Sequence, residues 1–169
     1  GLDIDYRVTA LPEVDESYPD TLSGEEIPLY ISQEKAAAYR RFMKDNTLLI
    51  TADTIVWLDG KVYGKPRNTA DAKAMLQALS GKTHTVITGV TLTSLQKQIS
   101  FAVSTEVTFA ALGDDEIDYY VETYRPLDKA GAYGVQEWIG YIGVTGLKGS
   151  YYNVMGLPIQ RLYTELKKF

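Results

Sequence analysis

The sequence predicts an α/β protein in which helices flank a mixed sheet. Three features carry that expectation. Long strand-like runs occur at 47–58, 83–95 and 99–110. Helical stretches alternate with them and close the chain. Asp59-Gly60 sits between two strand-like segments and signals a two-residue hairpin, so tight antiparallel turns coexist with helical connections.

Taken in order, residues 3–10 alternate and read as a strand. Residues 11–24 are acidic, hold two prolines and read as a loop. A helix follows from about Pro28 to Phe42, with Pro28 in the first turn, where a missing N–H is harmless, and Glu25 and Glu26 just before it. The strand at 47–58 turns at Asp59-Gly60 and returns as "KVYG". The next helix starts near Asn68 or Thr69 and stops at Ser80-Gly81, a favourable C-terminal cap. Two long strands, 83–95 and 99–110, join at "QKQ". "DDEIDYYVETY" reads as a helix capped by Asp114. The Gly-rich stretch 129–156 reads as short strands and turns. A last helix begins near Pro158, with Ile159, Leu162, Tyr163 and Leu166 as its apolar stripe.

Composition narrows the function classes. A chain of 169 residues, 45% hydrophobic and 23% charged, suits one compact domain or two lobes sharing a core. No run of about 18 apolar residues predicts a membrane span, and no basic-then-apolar start predicts a signal peptide. The chain begins "GLDIDYRV" without an initiator Met, so further upstream residues are expected. With no Cys, disulfides, thiolate zinc sites and Cys nucleophiles are excluded, which is compatible with the cytoplasm. His84 is the only histidine, so a multi-His metal site is excluded too. A Ser-His-Asp triad would have to use it, and no G-x-S-x-G is present. A net charge of −5 with no basic run argues against nucleic acid or an anionic membrane as partner. A phosphate ligand stays open if cations cluster locally or a divalent metal bridges the charges.

Against that background a few residues stand out. Asp53 lies inside "LLITADTIVW", a run apolar on both faces, and a buried carboxylate costs several kcal/mol unless satisfied. It is either hydrogen-bonded to a loop backbone or part of a site. Lys35 interrupts the helical stripe Ile31, Lys35, Ala38, Phe42; it either snorkels to water or aims into a cleft. In the hairpin register 58 pairs with 61 and 54 with 65. Strict pleating then puts Lys65 on the face of Thr54, though Pro66 ends the ladder and lets the side chain turn. In "DKAGAYGVQ", Lys129 and Gly131 are phosphate-binding candidates, with tight turns as the plainer reading. "GSYYNVMGLP" leads into a helix N-terminus, a weak anion signal. Glu13, Asp15 and Glu16 form an acidic loop that is either solvated or a source of metal ligands. No nucleophile with an adjacent base is evident, so the set favours metal-assisted attack of water on a phosphoanhydride.

Four blocks, "ADTIVWLDGKVYGKP", "AKAMLQALSGKTHTVITGV", "PLDKAGAYGVQ" and "GSYYNVMGLPI", resemble the Maf family in content, order and separation, over nearly the whole chain. The resemblance implies one Maf-like domain over residues 1–169, similar in fold to the inosine-triphosphate pyrophosphatase group, with two lobes around a cleft. It implies a nucleoside triphosphate pyrophosphatase that uses Mg²⁺ or Mn²⁺ and releases a monophosphate and pyrophosphate. Asp53 then matches the catalytic acidic residue, as base for water and as a metal ligand, and Glu16 the acidic-loop metal ligand. Lys35 matches the Lys of the "EKA" helix and Lys65 that of the "GKP" block, both phosphate-binding. Thr54 and Gln136 match the branch acting on dTTP and UTP; the branch acting on 7-methyl-GTP has Gln and Glu there. The family's opening strand and S-x-S-P-R-R loop have no counterpart in this sequence, so none of its arginines takes that phosphate role. Two alternatives remain: a non-enzymatic regulator of septum formation acting through a partner, and a purine-directed pyrophosphatase of the inosine-triphosphate type. Homodimerisation is compatible with the resemblance, and no stretch of sequence marks a partner surface.

Overall fold

The computed structural model describes residues 1–10 and 14–169. Five strands, β1 (Leu49–Leu58), β2 (Lys61–Tyr63), β3 (Thr83–Thr93), β4 (Gln98–Phe109) and β5 (Val144–Lys148), form one sheet in the order β2-β1-β3-β4-β5. The expected helix-flanked α/β architecture is present, and these pairings are all antiparallel. β1 and β2 form the hairpin foreseen at Asp59-Gly60, both residues taking positive φ. Helix α2 (Thr69–Leu79), capped by the Asn68 side chain, then returns the chain so that Thr85 pairs with Trp57.

The two faces of the sheet are covered differently. Helix α1 (Glu26–Tyr39), extended by a 3₁₀ turn at Arg40–Phe42, packs Ile27 and Ile31 on Ile55 and Ile87. On the opposite face α2 and α3 (Asp114–Tyr124) bury Leu76, Leu79, Ile117 and Tyr120 against Val56, Leu58, Val86 and Val107. Farther along that face α6 (Ile159–Lys168) seats Leu162 on Val90, Leu92 and Phe101, while Tyr163 of the expected stripe stays exposed. Thr54 lies between these two packed regions.

Three local expectations are corrected. Residues 3–10 form no strand; Tyr6 and Val8 are 82% and 86% exposed, and their alternation meets no sheet edge among the described residues. Asp114 is the first residue of α3 rather than its cap: Gly113 holds that place, and its N–H donates to Glu116 Oε1 at 2.8 Å. The Gly-rich stretch contains two short helices besides β5, α4 (Trp138–Gly143) and α5 (Tyr151–Val154). Ile139 and Asn153 are their buried anchors, so tertiary contacts rather than helix propensity make them.

Candidate active site

The site begins where β2 ends. The ladder between β1 and β2 stops at Val56–Tyr63, so the expected 54–65 pair does not form. Gly64 gives its carbonyl to the Gly131 N–H at 3.1 Å instead, and Pro66 has no N–H to lend a ladder. β3 still pairs with β1 from Leu49 to Trp57, but on the β2 side the first half of β1 has no strand partner among the described residues. A cleft of about 350 Å³ lies there. Consecutive strand residues point to opposite faces. Asp53 and Thr54 nevertheless both line this cleft, which takes in residues of both faces of β1.

Lys35 reaches Asp53 because of Gly89. Gly89 is the register partner of Asp53 on β3, and a Cβ there would overlap the Pro28 carbonyl and the Leu29 nitrogen. The bare glycine lets α1 lie directly on the sheet at Pro28. Lys35 follows about two helical turns later, on the same face as Ile31. Its ammonium stands 3.0 Å from Asp53 Oδ1, 3.2 Å from the Ala52 carbonyl and 3.3 Å from Glu16 Oε1. Three donors thus meet three acceptors, which answers whether Lys35 snorkels: it is turned inward. Lys65 approaches the same acidic side chain, 3.8 Å from Glu16 Oε2.

One ammonium shared by two carboxylates sets the electrostatics. Burial raises the Asp53 carboxyl above the usual carboxylate range and outweighs the opposing pull of Lys35. For Lys35, burial works to lower the ammonium, but Asp53 and Glu16 together hold it above its ordinary value. Asp53 is therefore a carboxylate of enhanced basicity beside a firmly charged cation.

Of the other expected residues, Lys129 and Gln136 line the cleft as well. Lys129 Nζ is 3.1 Å from Asp128 Oδ1 and 3.6 Å from Glu137 Oε1. Gly131 is buried against the Val56 side chain, its N–H committed to Gly64, and does not line the cleft. Asp15 folds back on its own loop, accepting the Ser17 N–H at 2.8 Å. Glu13 lies outside the described residues.

Sequence reasoning missed the frame behind Thr54. Its hydroxyl is 2.8 Å from that of Thr88 and 3.4 Å from the Gly156 carbonyl. Thr88 reaches the Asn153 carbonyl at 3.3 Å. The two N–H groups of the Asn153 amide are shared among Val86 O, Val103 O and Thr105 Oγ1, all within 3.2 Å, fastening α5 to β3 and β4. The signal was a run of threonines in a central strand, which β-propensity alone explains equally well. No group of three or more His, Asp or Glu side chains suited to a metal occurs among the described residues. The Asp53 and Glu16 carboxylates converge on the Lys35 ammonium, and Asp128 lines the cleft as well. No helix among the described residues is long and apolar enough to cross a membrane.

A family model for Maf-like proteins matches residues 2–169. The chain belongs to the Maf family. Among its Maf relatives, a dTTP/UTP pyrophosphatase of Phocaeicola vulgatus is 67% identical over 168 residues, covering 99% of this chain and 87% of that protein. A dTTP/UTP pyrophosphatase of Bacteroides fragilis is 63% identical with the same coverage. One from Flavobacterium psychrophilum is 47% identical over 98% of this chain and 85% of its own.

Proposed function

We propose that this Maf protein hydrolyses dTTP and UTP to the nucleoside monophosphate and pyrophosphate. The names borne by relatives 47–67% identical over nearly the whole chain support the reaction. The observation that carries the mechanism is the placement of Asp53 on β1 in the cleft, paired with Lys35 and facing Glu16. Asp53, raised by burial, accepts a proton from water as the water oxygen bonds the α-phosphorus. The bond from the α-phosphorus to the bridging oxygen breaks, and pyrophosphate leaves with that electron pair. Lys35, Lys65 and Lys129 offset the charge on the phosphate oxygens. Thr54 and the Gln136 amide, which both donates and accepts, face the base.

A divalent cation fits this donor set. Mg²⁺ takes only one or two protein carboxylates when phosphates and water complete its shell, and Asp53 and Glu16, which meet at the Lys35 ammonium, are two that lie together in the cleft. When bound, Mg²⁺ or Mn²⁺ would polarise the phosphate oxygens and favour deprotonation of water. Asp53→Asn tests the reading, with pyrophosphate release from dTTP, UTP, CTP, ITP and 7-methyl-GTP as the assay. Wild type is expected to turn over dTTP and UTP selectively. The variant should lose about 10²–10⁴-fold in kcat with its fold intact. Undiminished turnover in the variant would sink the role of Asp53, and indifference of the wild type to all five nucleotides would sink the enzyme.

A further inference from the structure

We infer that Glu137, fastened by the buried Tyr120 hydroxyl, is a positioning residue that fixes the Lys129 ammonium at the cleft wall for the substrate's phosphates. Glu137 itself does not line the cleft, whereas Lys129, Gly134 and Gln136 of the same segment do. It stands at the N-cap position of α4, yet its side chain makes no cap bond there. Oε1 instead accepts the Tyr120 hydroxyl at 3.0 Å and faces Lys129 Nζ at 3.6 Å. Chemistry fixes the direction of each bond. The Gly134 N–H, 3.0 Å from the same Tyr120 oxygen, can only donate, and a carboxylate can only accept. The one tyrosine proton therefore goes to Glu137. Tyr120 is wholly buried on α3, and burial pushes its hydroxyl well above the usual phenol range, so that proton stays on.

Lys129 stands between two carboxylates of unequal hold. Asp128 Oδ1 is closer, at 3.1 Å, but that side chain is 77% exposed, so water screens the attraction. Glu137, 20% exposed and tied to a wholly buried ring, is the partner that keeps one place. Gly134 makes room for it: a Cβ there would overlap Glu137 Oε1 and stand 3.0 Å from Lys129 Cε. The same hydroxyl thus holds the backbone two residues before Gln136 and the side chain just after it. The ammonium is oriented before a ligand arrives, and pre-organisation of that kind strengthens binding. The charge of Glu137 also repels phosphate, so two readings differ in sign. A positioning group strengthens phosphate binding, and a mere counter-charge weakens it. The inference rests on the reading of the cleft as a nucleoside triphosphate site, and it adds the group that sets Lys129 there.

The test is a double-mutant cycle between Glu137→Gln and Lys129→Met. It is read by calorimetric binding of α,β-imido-UTP, which is not turned over, in Mg²⁺, with the urea midpoint of each variant measured alongside. Glu137→Gln keeps an oxygen for the Tyr120 hydroxyl and removes the charge facing Lys129. It should weaken binding about tenfold at a urea midpoint close to that of wild type. In the Lys129→Met background the same change should have almost no effect, because the group through which Glu137 acts is gone. Tyr120→Phe keeps the ring and releases the Glu137 carboxylate, so its loss of binding should shrink in Lys129→Met too. A purely structural role would weaken binding equally in both backgrounds. Equal effects in both backgrounds, or binding that tightens in Glu137→Gln, would overturn the inference. UTP hydrolysis by wild type separates it from the reading it rests on. Hydrolysis with an uncoupled cycle fails Glu137 alone, and a coupled cycle without hydrolysis fails the catalytic reading alone. A wild type that neither binds the analogue nor hydrolyses UTP overturns both.

Discussion

His84 offers a prediction whose size follows from its surroundings. It is 1% exposed on β3, with the rings of Phe109 and Tyr133 edge-on at 5.1 and 5.4 Å. Nε2 meets the Tyr133 hydroxyl at 2.6 Å, whereas buried Nδ1 has no partner among the described residues. A second proton on the ring would place a charge in this aromatic pocket with nothing to offset it, so burial lowers the pKa from 6.5 to about 4. The native state therefore binds the proton more weakly than the unfolded chain. Stability is fully present above the unfolded value and is lost as pH falls towards about 4. At 1.36 kcal/mol per pKa unit the whole loss is about 3 kcal/mol, of which about 2 kcal/mol falls between pH 7 and 5. For a chain of this size that is a drop of about 4–8 °C in Tm. Asp15, Asp71, Asp128 and Glu165, all held below their ordinary values, add losses of the same sign lower down. Asp53, raised by burial, works the other way. Because the chain has one histidine, NMR of the imidazole reads the site without assignment ambiguity. The expected result is a neutral ring at pH 5.5 in the folded protein, with urea midpoints that fall from pH 7 to 5 in wild type and much less in His84→Asn. An imidazole that titrates near 6.5 in the folded state would refute the burial argument outright.

Two further substitutions probe how the site is assembled. Gly89→Ala forces a methyl into the Pro28–Leu29 backbone, so it should cost about 1–3 kcal/mol and lift α1 from the sheet. Since Lys35 rides on that helix, kcat should fall further than the urea midpoint implies; equal losses would show that the contact serves stability only. Lys35→Met removes the ammonium shared by Asp53 and Glu16. The acidic limb of the pH–rate profile should move to higher pH as Asp53 loses its counter-charge, and turnover should fall by about 10²-fold or more. A limb that stays in place would separate Lys35 from the ionisation of Asp53.

What could be read from the sequence, and what could not, divides along physical lines. Asp53 and Lys35 were legible because each contradicts its own period, a charge inside an apolar strand and a charge inside an apolar helix stripe, and such a contradiction needs a cause. The hairpin, α2 and the two long strands announced themselves through turn and cap residues. The helices α4 and α5 did not, at six and four residues, because they owe their existence to distant contacts such as those of Asn153. Thr88 gave no sign because a threonine in a strand contradicts nothing. The hardest feature to foresee is that Asp53 and Thr54 share one cleft. By pleat alone they belong to opposite faces, and a reading from periodicity must assign the site to one of them. Among the described residues β2 ends early, where Gly64 bonds Gly131 instead of continuing the ladder, and the cleft on that side of β1 is lined by both Asp53 and Thr54. Two residues adjacent on the strand thus line one cleft, with the Asp53 face braced by α1 and the Thr54 face braced by Thr88 and Asn153.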